Sequence, residues 1–237
     1  MGNLLTLQNV TAGYGSQTVL RDISLNLFEG GLTAIIGPNG HGKTTLLRAI
    51  SGLLPLRAGS ISLGGLVLTG LRPDEIVSAG IIHVPQGDML FPEMTVLENL
   101  LMGAYLPEAA AESARRLDEV FTLLPKLKER RGQVASTLSG GERRMVGIGR
   151  GLMGGGRLLM LDEPSLGLAP IVIDQIYEVI GELASAGKSI LVVEENAARV
   201  ADKAALITLL DNGQLVWTGQ GAELMARPEI LETYLGA

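Results

Sequence analysis

A glycine loop between an apolar run and a helical stretch constrains this chain more than any other feature. It has the spacing G-x-x-x-x-G-K-[ST] and reads Gly37-Pro38-Asn39-Gly40-His41-Gly42-Lys43-Thr44-Thr45. The apolar run 32–36 predicts a strand, and the glycines allow backbone N–H groups to converge on a polyphosphate where the helix begins. Lys43 is predicted to reach the β- and γ-phosphates, and the Thr44 hydroxyl to ligate Mg²⁺. An ordinary glycine turn between strand and helix is the alternative.

A second motif ends another predicted strand. The apolar residues 158–161 are followed by Asp162, Glu163 and Pro164. Ligands of open α/β sheets bind at the carboxyl ends of strands, so both carboxylates are expected beside the glycine loop. Asp162 is predicted to hold Mg²⁺, and Glu163 to orient or deprotonate a water in line with the γ-phosphate. A solvated Asp-Glu-Pro turn is the alternative.

A third motif, Leu138-Ser139-Gly140-Gly141-Glu142, directly precedes a helical stretch over 143–153. Ser139 is predicted to cap that helix, while the Gly140 and Gly141 amides stay open to an anion. Glu142 suits the positive end of the helix dipole. The chain is therefore predicted to carry two phosphate-binding surfaces.

With these motifs in this order, the chain resembles the ATP-binding-cassette (ABC) ATPases over essentially its whole length. The resemblance implies ATP and Mg²⁺ as cofactors, Tyr14 as the aromatic that stacks on adenine, and Gln86 as the Q-loop glutamine that serves both catalysis and the metal. It also implies head-to-tail pairing, in which the signature residues 139–142 of one chain close on the ATP of the other. Whether the pair is a homodimer or a heterodimer is left open.

The predicted fold class is α/β, a P-loop NTPase of the ABC type. Alternating apolar and polar residues predict strands over 4–10 and 20–27, and the pattern continues over 60–63 and 66–68. A βαβ rhythm after residue 157 predicts a parallel sheet, with helices near 172–186 and 196–202. The resemblance assigns the early strands to an N-terminal antiparallel β-subdomain and the later ones to a parallel-sheet core.

Apolar residues at helical spacing predict one amphipathic helix over 109–127. The resemblance places it in an inserted helical subdomain that contacts a transmembrane partner. The chain is interpreted as a single ABC ATP-binding domain, 1–237, whose core comprises 1–86 and 157–237 and whose helical and signature subdomain comprises 87–156.

Composition excludes several function classes. A net charge of −6 over 237 residues argues against a nucleic-acid partner, which requires a basic face. The absence of cysteine gives no disulfide framework. The weakly polar stretch 145–161 contains two arginines and is a poor membrane span, and the first residues do not read as a signal peptide. From these features we expect a soluble chain that associates with a membrane only through a partner; the resemblance implies a cytoplasmic protein that is peripheral on the inner face of the cell membrane through permease subunits.

Two positions depart from the family pattern. Ala169 stands where most members have a D-loop aspartate, and Glu195 stands at the switch position, which usually holds a histidine. Neither His41 nor His83 can serve there, and His41 is expected to face solvent rather than phosphate. An ionised carboxylate is repelled by phosphate, so Glu195 is expected to turn away to a basic neighbour. Contact through water and a protonated, donating carboxyl are the alternatives.

The segment 163–170, the signature ending in Glu142 and the Glu-Glu-Asn segment at 194–196 are similar to the shorter ATPase subunit of branched-chain amino acid importers. The implied partners are a second ATP-binding subunit, two transmembrane permease subunits and, indirectly, a periplasmic solute-binding protein. A urea or short-amide importer is the alternative. A ribosome- or DNA-acting ABC protein usually has two cassettes or a long coiled-coil insertion, and a small-molecule kinase would not need residues 138–142.

Overall fold

The computed structural model describes residues 2–87 and 89–235, whose strands form two sheets. The strands are β1 (Asn3–Tyr14), β2 (Gln17–Phe28), β3 (Gly31–Ile36), β4 (Leu56–Leu63), β5 (Leu66–Val67), β6 (Ile81–Val84), β7 (Leu158–Asp162), β8 (Ser189–Glu194), β9 (Leu206–Asp211) and β10 (Gln214–Gly219). The helices are α1 (Lys43–Ile50), α2 (Pro73–Ala79), α3 (Val96–Leu101), α4 (Pro107–Ala111), α5 (Ser113–Leu123), α6 (Pro125–Glu129), α7 (Gly140–Met153), α8 (Pro170–Ser185), α9 (Gly221–Met225) and α10 (Pro228–Ile230).

The first sheet is antiparallel and has the order β2-β1-β4-β5. Buried leucine, isoleucine and valine side chains alternate along β1 and β2 with exposed residues, as in a sheet with one solvated face. Its buried face packs on α1 and on the second sheet in one continuous apolar cluster. The predicted antiparallel β-subdomain is confirmed.

The second sheet has the order β10-β9-β3-β8-β7-β6 and is parallel except for β10, which pairs antiparallel with β9. Every residue of β7 and β8 is buried, which explains why these segments read as continuous apolar runs rather than alternating ones. Because β3, β8 and β7 are neighbours, the segments that follow them leave the sheet at one edge. The functional side chains lie at this edge.

The region between β6 and β7 is helical and has its own apolar cluster, which includes Leu100, Val120, Phe121, Val146 and Met153. The prediction of one helix over 109–127 is wrong, because the chain forms α4, α5 and α6 there. Pro125 is the first residue of α6, and the residue before a proline is disfavoured in helical geometry; Leu124 has φ −127° and ψ 67°. The helix predicted over 196–202 is also wrong, since only a 3₁₀ turn forms at Ala197–Arg199.

Helix α8 confirms the prediction near 172–186 and packs its apolar face on the second sheet. Its buried residues recur at helical spacing: Ile176, Tyr177, Ile180 and Leu183. In the part of the chain that the structure describes, α8 and the other helices all fall short of the length and apolarity that crossing a lipid bilayer requires.

Candidate functional site

The glycine loop joins the buried strand β3 to α1, and close packing sets its glycines. A Cβ on Gly37 would lie 2.1 Å from the Leu210 carbonyl oxygen, so no larger residue fits there. Gly42, which precedes the first residue of α1, has φ 110°, a left-handed conformation that favours glycine. The loop therefore ends at the N-terminus of α1, where free amides and the helix dipole favour an anion.

Lys43 lies at the centre of the site. Its Nζ donates to the Gly37 carbonyl at 2.8 Å and the Pro38 carbonyl at 3.1 Å, and it lies 3.1 Å from Glu163 Oε1. The Lys43 and Glu163 side chains are 3% and 8% exposed. Gln86 Nε2 donates to Glu163 Oε2 at 3.1 Å. The structure thus brings together a cation, a carboxylate and an amide from three separate segments.

Asp162 and Thr44 form a second polar pair at the same edge. The Thr44 hydroxyl donates to Asp162 Oδ1 at 3.1 Å. Burial is the main cause that raises the pKa of Asp162, and the Thr44 hydrogen bond opposes it. Among residues 2–87 and 89–235, no cluster of three or more His, Cys, Asp or Glu side chains could enclose a metal. A hydroxyl and one carboxylate suit Mg²⁺, which is usually held by few protein oxygens together with water and phosphate.

The backbone of Glu163 is unusual, because its φ of 45° is in the left-handed region that non-glycine residues rarely adopt. Its N–H donates to the Val193 carbonyl of the neighbouring strand β8 at 3.1 Å. Such conformations cost on the order of 1–3 kcal/mol and persist where the surroundings hold them. The carboxylate therefore points at Lys43 and Gln86 because packing holds a strained backbone.

Among residues 2–87 and 89–235, the Glu195 side chain is bonded to an amide and to no basic group, so the prediction of a basic neighbour is wrong. The exposed side chain of Glu195 accepts a hydrogen bond from Asn39 Nδ2 at 3.0 Å. The same amide presents Oδ1 to Lys43 Nζ at 3.4 Å. Sequence reasoning missed the contact between Asn39 and Glu195, because these two residues are 156 positions apart in the chain. Glu195 fixes which way the Asn39 amide faces, and thereby places the amide oxygen toward Lys43.

The two histidines occupy structural positions. His41 Nδ1 lies 2.7 Å from Asp211 Oδ1, and the His41 side chain is partly buried, so the expectation that it faces solvent is wrong. His83 Nδ1 lies 3.2 Å from the Ser51 hydroxyl. Burial and then the charge of Arg48 lower the pKa of His83 to about 4, so its ring is neutral at pH 7.

Ser139 caps α7 as predicted. Its hydroxyl accepts from the Glu142 N–H at 3.4 Å, and the Glu142 carboxylate accepts from the Ser139 N–H at 2.9 Å. Although burial raises the pKa of Glu142, the Ser139 hydrogen bonds and the charges of Arg130 and Lys126 lower it below its ordinary value. A Cβ on Gly141 would meet Val172 of α8 at 2.4 Å. Within the described residues, no hydrogen bond or ion pair joins the segment 139–142 to the glycine loop.

Tyr14 ends β1 beside the first helix. Its hydroxyl accepts a hydrogen bond from Arg48 Nη1 of α1 at 3.2 Å, and its ring is exposed. The ring is therefore anchored at one end and open to a planar partner. Arg48 was missed by sequence reasoning, and only its spacing of five residues from Lys43 hints at a role.

Comparison with known proteins gives a consistent result. The family model described as "ABC transporter" matches residues 20–166. The high-affinity branched-chain amino acid transport ATP-binding protein BraG of Pseudomonas aeruginosa is 41% identical over 98% of this chain and 100% of its own length. The probable branched-chain amino acid transport ATP-binding protein LivF of Archaeoglobus fulgidus is 34% identical over 98% and 99%.

Among solved structures, the ADP conformation of an ATP-binding cassette from an ABC transporter superposes with a TM-score of 0.85. It is 30% identical, and the match covers 98% of both chains. The predicted α/β fold of the P-loop type, with an antiparallel β-subdomain and inserted helices, is confirmed by this likeness and by the two sheets.

Proposed function

Since the chain belongs to the ABC transporter family of ATP-binding proteins, we propose that it is the ATP-hydrolysing subunit of an importer for branched-chain amino acids. The observation that carries the hydrolytic role is the buried Lys43–Glu163 pair, which Gln86 contacts from the exposed side, beside the Thr44–Asp162 pair. The solute is inferred from the relatives BraG and LivF, because the transported molecule does not meet the residues of this site.

Each site residue has a role in this proposal. The loop 37–45 wraps the phosphates of ATP, Lys43 meets the β- and γ-phosphates, and Tyr14 stacks on adenine. Thr44, Asp162 and the Gln86 amide oxygen would hold Mg²⁺, and its charge would offset the negative charge that develops on the phosphate oxygens.

Glu163 is the proposed base or orienting group for the attacking water. The γ-phosphate competes with the Glu163 carboxylate for Lys43, because both are anions within reach of one ammonium group. When Lys43 turns to phosphate, Gln86 and the left-handed backbone still aim the carboxylate at the site. Glu163 is then free to accept a proton from water.

The segment 139–142 is proposed to serve the ATP of a second ATP-binding subunit. Two observations support this proposal. Ser139 caps the N-terminus of α7, and a helix N-terminus favours an anion. Within the described residues, the segment 139–142 makes no hydrogen bond or ion pair with the glycine loop of its own chain. The core 1–86 and 157–237 and the helical subdomain 87–156 are the proposed units of this domain.

We expect the chain to remain a monomer of 24.9 kDa with ADP and to pair with ATP, because each signature completes the partner's site. Glu163→Gln is expected to make the pair long-lived by blocking hydrolysis. Light scattering of the variant with ATP, compared with ADP, measures the change in mass. The same measurement is repeated with the second ATP-binding subunit added. If the mass with ATP equals the mass with ADP in both experiments, ATP does not cause the chains to pair and the proposal is contradicted.

Two permease subunits are the proposed membrane partners, contacting the helical region near Gln86. Large apolar side chains are exposed there: Met89, Phe91, Leu101, Met102 and Tyr105. Contiguous exposed apolar surface marks interaction sites, and these side chains come from two short segments, 89–91 and 101–105, that follow Gln86 in the chain. We propose that the chain is held at the inner face of the membrane through these permeases, that a periplasmic solute-binding protein delivers the solute, and that no nucleic acid takes part.

Glu195→Gln is expected to keep or raise ATPase activity. The glutamine oxygen still accepts from Asn39, while loss of the charge removes a repulsion of about 1 kcal/mol or more for a phosphate oxygen at about 4 Å. Phosphate release and ATP binding are measured beside Glu195→Ala, which lacks the acceptor. A large loss of activity in the glutamine variant, with ATP binding intact, would show instead that the carboxylate takes part in the reaction.

Uptake in cells that lack the chain tests the transport role. Complementation with the wild-type chain is expected to restore uptake of leucine, isoleucine and valine, whereas Lys43→Ala restores none. Restored uptake of urea or a short amide, without the branched-chain amino acids, would move the assignment to that importer class.

A further inference from the structure

A buried carboxylate that the proposed reaction does not use lies directly behind the site. Glu194, the last residue of β8, is 1% exposed. Its Oε1 accepts hydrogen bonds from the Ser165 hydroxyl and the Tyr177 hydroxyl, both at 2.6 Å. Its Oε2 lies 3.3 Å from Arg199 Nη1, which also donates to the Ser165 hydroxyl. We call Glu194, Ser165, Tyr177 and Arg199 the carboxylate clamp.

Both oxygens of the buried Glu194 carboxylate have hydrogen-bonding or ionic partners within the clamp. A buried carboxylate is tolerated only where it is paired and hydrogen-bonded, and Glu194 has one guanidinium and two hydroxyl partners. Burial, followed by the nearby charge of Glu194, raises the pKa of Tyr177, so its hydroxyl stays protonated and donates. Such networks fix the relative positions of the elements that supply their members.

The members of the clamp come from the segments that frame the reaction. Ser165 lies two residues after Glu163, and Tyr177 lies on α8. Glu194 accepts from the Gly37 N–H through its carbonyl at 3.2 Å, and its Oε2 accepts from the Glu195 N–H at 3.3 Å. One buried residue therefore touches the start of the glycine loop, the switch position and the segment after Glu163.

The backbone of Glu163 is strained and needs contacts on both sides to hold it. A left-handed φ of 45° persists only where neighbouring contacts over-determine it. On the N-terminal side, Glu163 is held by its own N–H bond to Val193. On the C-terminal side, the buried Pro164 is followed by Ser165, which is 1% exposed and whose hydroxyl donates a hydrogen bond to Glu194.

We propose that the carboxylate clamp is a positioning device for ATP hydrolysis, in which Glu194 acts through Ser165 and Tyr177 to keep Glu163 aimed at the site. This inference rests on the proposed role of Glu163 and extends it to residues that touch neither Lys43 nor Gln86. The clamp residues are not catalytic residues, since each acts through the backbone of 163–165.

Tyr177→Phe and Ser165→Ala test the proposal, because each removes one hydroxyl and adds no bulk. In both variants we expect kcat to fall about tenfold or more, because misplacing a reacting group by around 1 Å costs up to about 100-fold. ATP affinity and KM are expected to stay near wild type, since the contacts of the glycine loop are unchanged. Steady-state phosphate release, equilibrium ATP binding and thermal unfolding are measured on the full chain.

Thr208→Val is the matched control. Thr208 is fully buried in β9 and its hydroxyl hydrogen-bonds to Thr218, so the variant loses a comparable buried contact away from Glu163. We expect it to lower the unfolding temperature while leaving kcat unchanged. If Tyr177→Phe and Ser165→Ala also keep the wild-type kcat, the clamp is only structural and the inference is wrong. The same conclusion follows if these variants raise KM at the same time as they lower kcat.

Glu163→Gln separates this failure from that of the proposed function. If Glu163→Gln abolishes turnover and the clamp variants do not reduce it, the inference fails and the role of Glu163 stands. If Glu163→Gln turns over at the wild-type rate, the role of Glu163 falls, and the clamp inference falls with it.

Discussion

Glu163→Gln is expected to bind ATP at least as tightly as the wild type and to lose at least about 100-fold in kcat, because a general base contributes factors of about 10²–10⁴. The amide retains an oxygen for the hydrogen bond from Gln86 but no longer competes with phosphate for Lys43. Binding and turnover therefore change in opposite directions. ATP binding at equilibrium and phosphate release at saturating ATP measure the two effects separately.

Glu182→Gln is the control for this variant. Glu182 is an exposed residue of α8, and its substitution changes the net charge by the same amount. We expect its kcat to match the wild type. Turnover at the wild-type rate in Glu163→Gln would show that this carboxylate neither orients nor deprotonates the attacking water. A parallel loss of ATP affinity would instead assign Glu163 to nucleotide binding.

Much of the site could be predicted because short-range geometry determines it. Gly42 is required by a φ of 110° directly before α1, and a local constraint of this kind leaves a fixed position in the sequence. The Ser139 cap is equally local, since its partner Glu142 is three residues away. Buried parallel strands such as β7 can also be predicted, because they are continuous apolar runs in the sequence.

Other features depend on partners that the sequence does not bring close. Glu195 meets Asn39 across 156 residues, and His41 meets Asp211 across 170. The positions of these side chains follow from motif order, but their hydrogen-bond partners depend on which strands are neighbours in the second sheet. The clamp around Glu194 was missed for the same reason, although a carboxylate directly after the apolar residues 190–193 was a signal.

The helix predicted over 109–127 failed for a different physical reason. Periodicity reports which residues face the apolar cluster, and Val120, Phe121, Leu124 and Leu127 all do. It does not report whether the backbone between them is continuous. Pro125 interrupts the helix, and the next segment packs its own apolar residue on the same cluster.

Lys43→Ala is expected to weaken ATP binding on the order of 100-fold or more, because charge-assisted hydrogen bonds to phosphate contribute about 1.5–3 kcal/mol each. The buried Lys43 also neutralises Glu163, so the variant leaves that carboxylate without its cation. Breaking a buried ion pair by removing one partner costs about 3–5 kcal/mol, so the free energy of unfolding should fall as well. Equilibrium ATP binding and denaturant unfolding measure the two losses.

The double variant Lys43→Ala/Glu163→Gln separates these two losses. Removing both charges eliminates the unpaired carboxylate, so most of the lost unfolding free energy is expected to return, whereas ATP affinity stays low. Lys188→Ala removes an exposed lysine and serves as the charge-matched control, with both quantities near wild type. If Lys43→Ala is folded and binds ATP like the wild type, Lys43 does not contact the phosphates. If the double variant recovers ATP binding together with stability, the unpaired Glu163 carboxylate, and not the missing ammonium group, was what excluded the nucleotide.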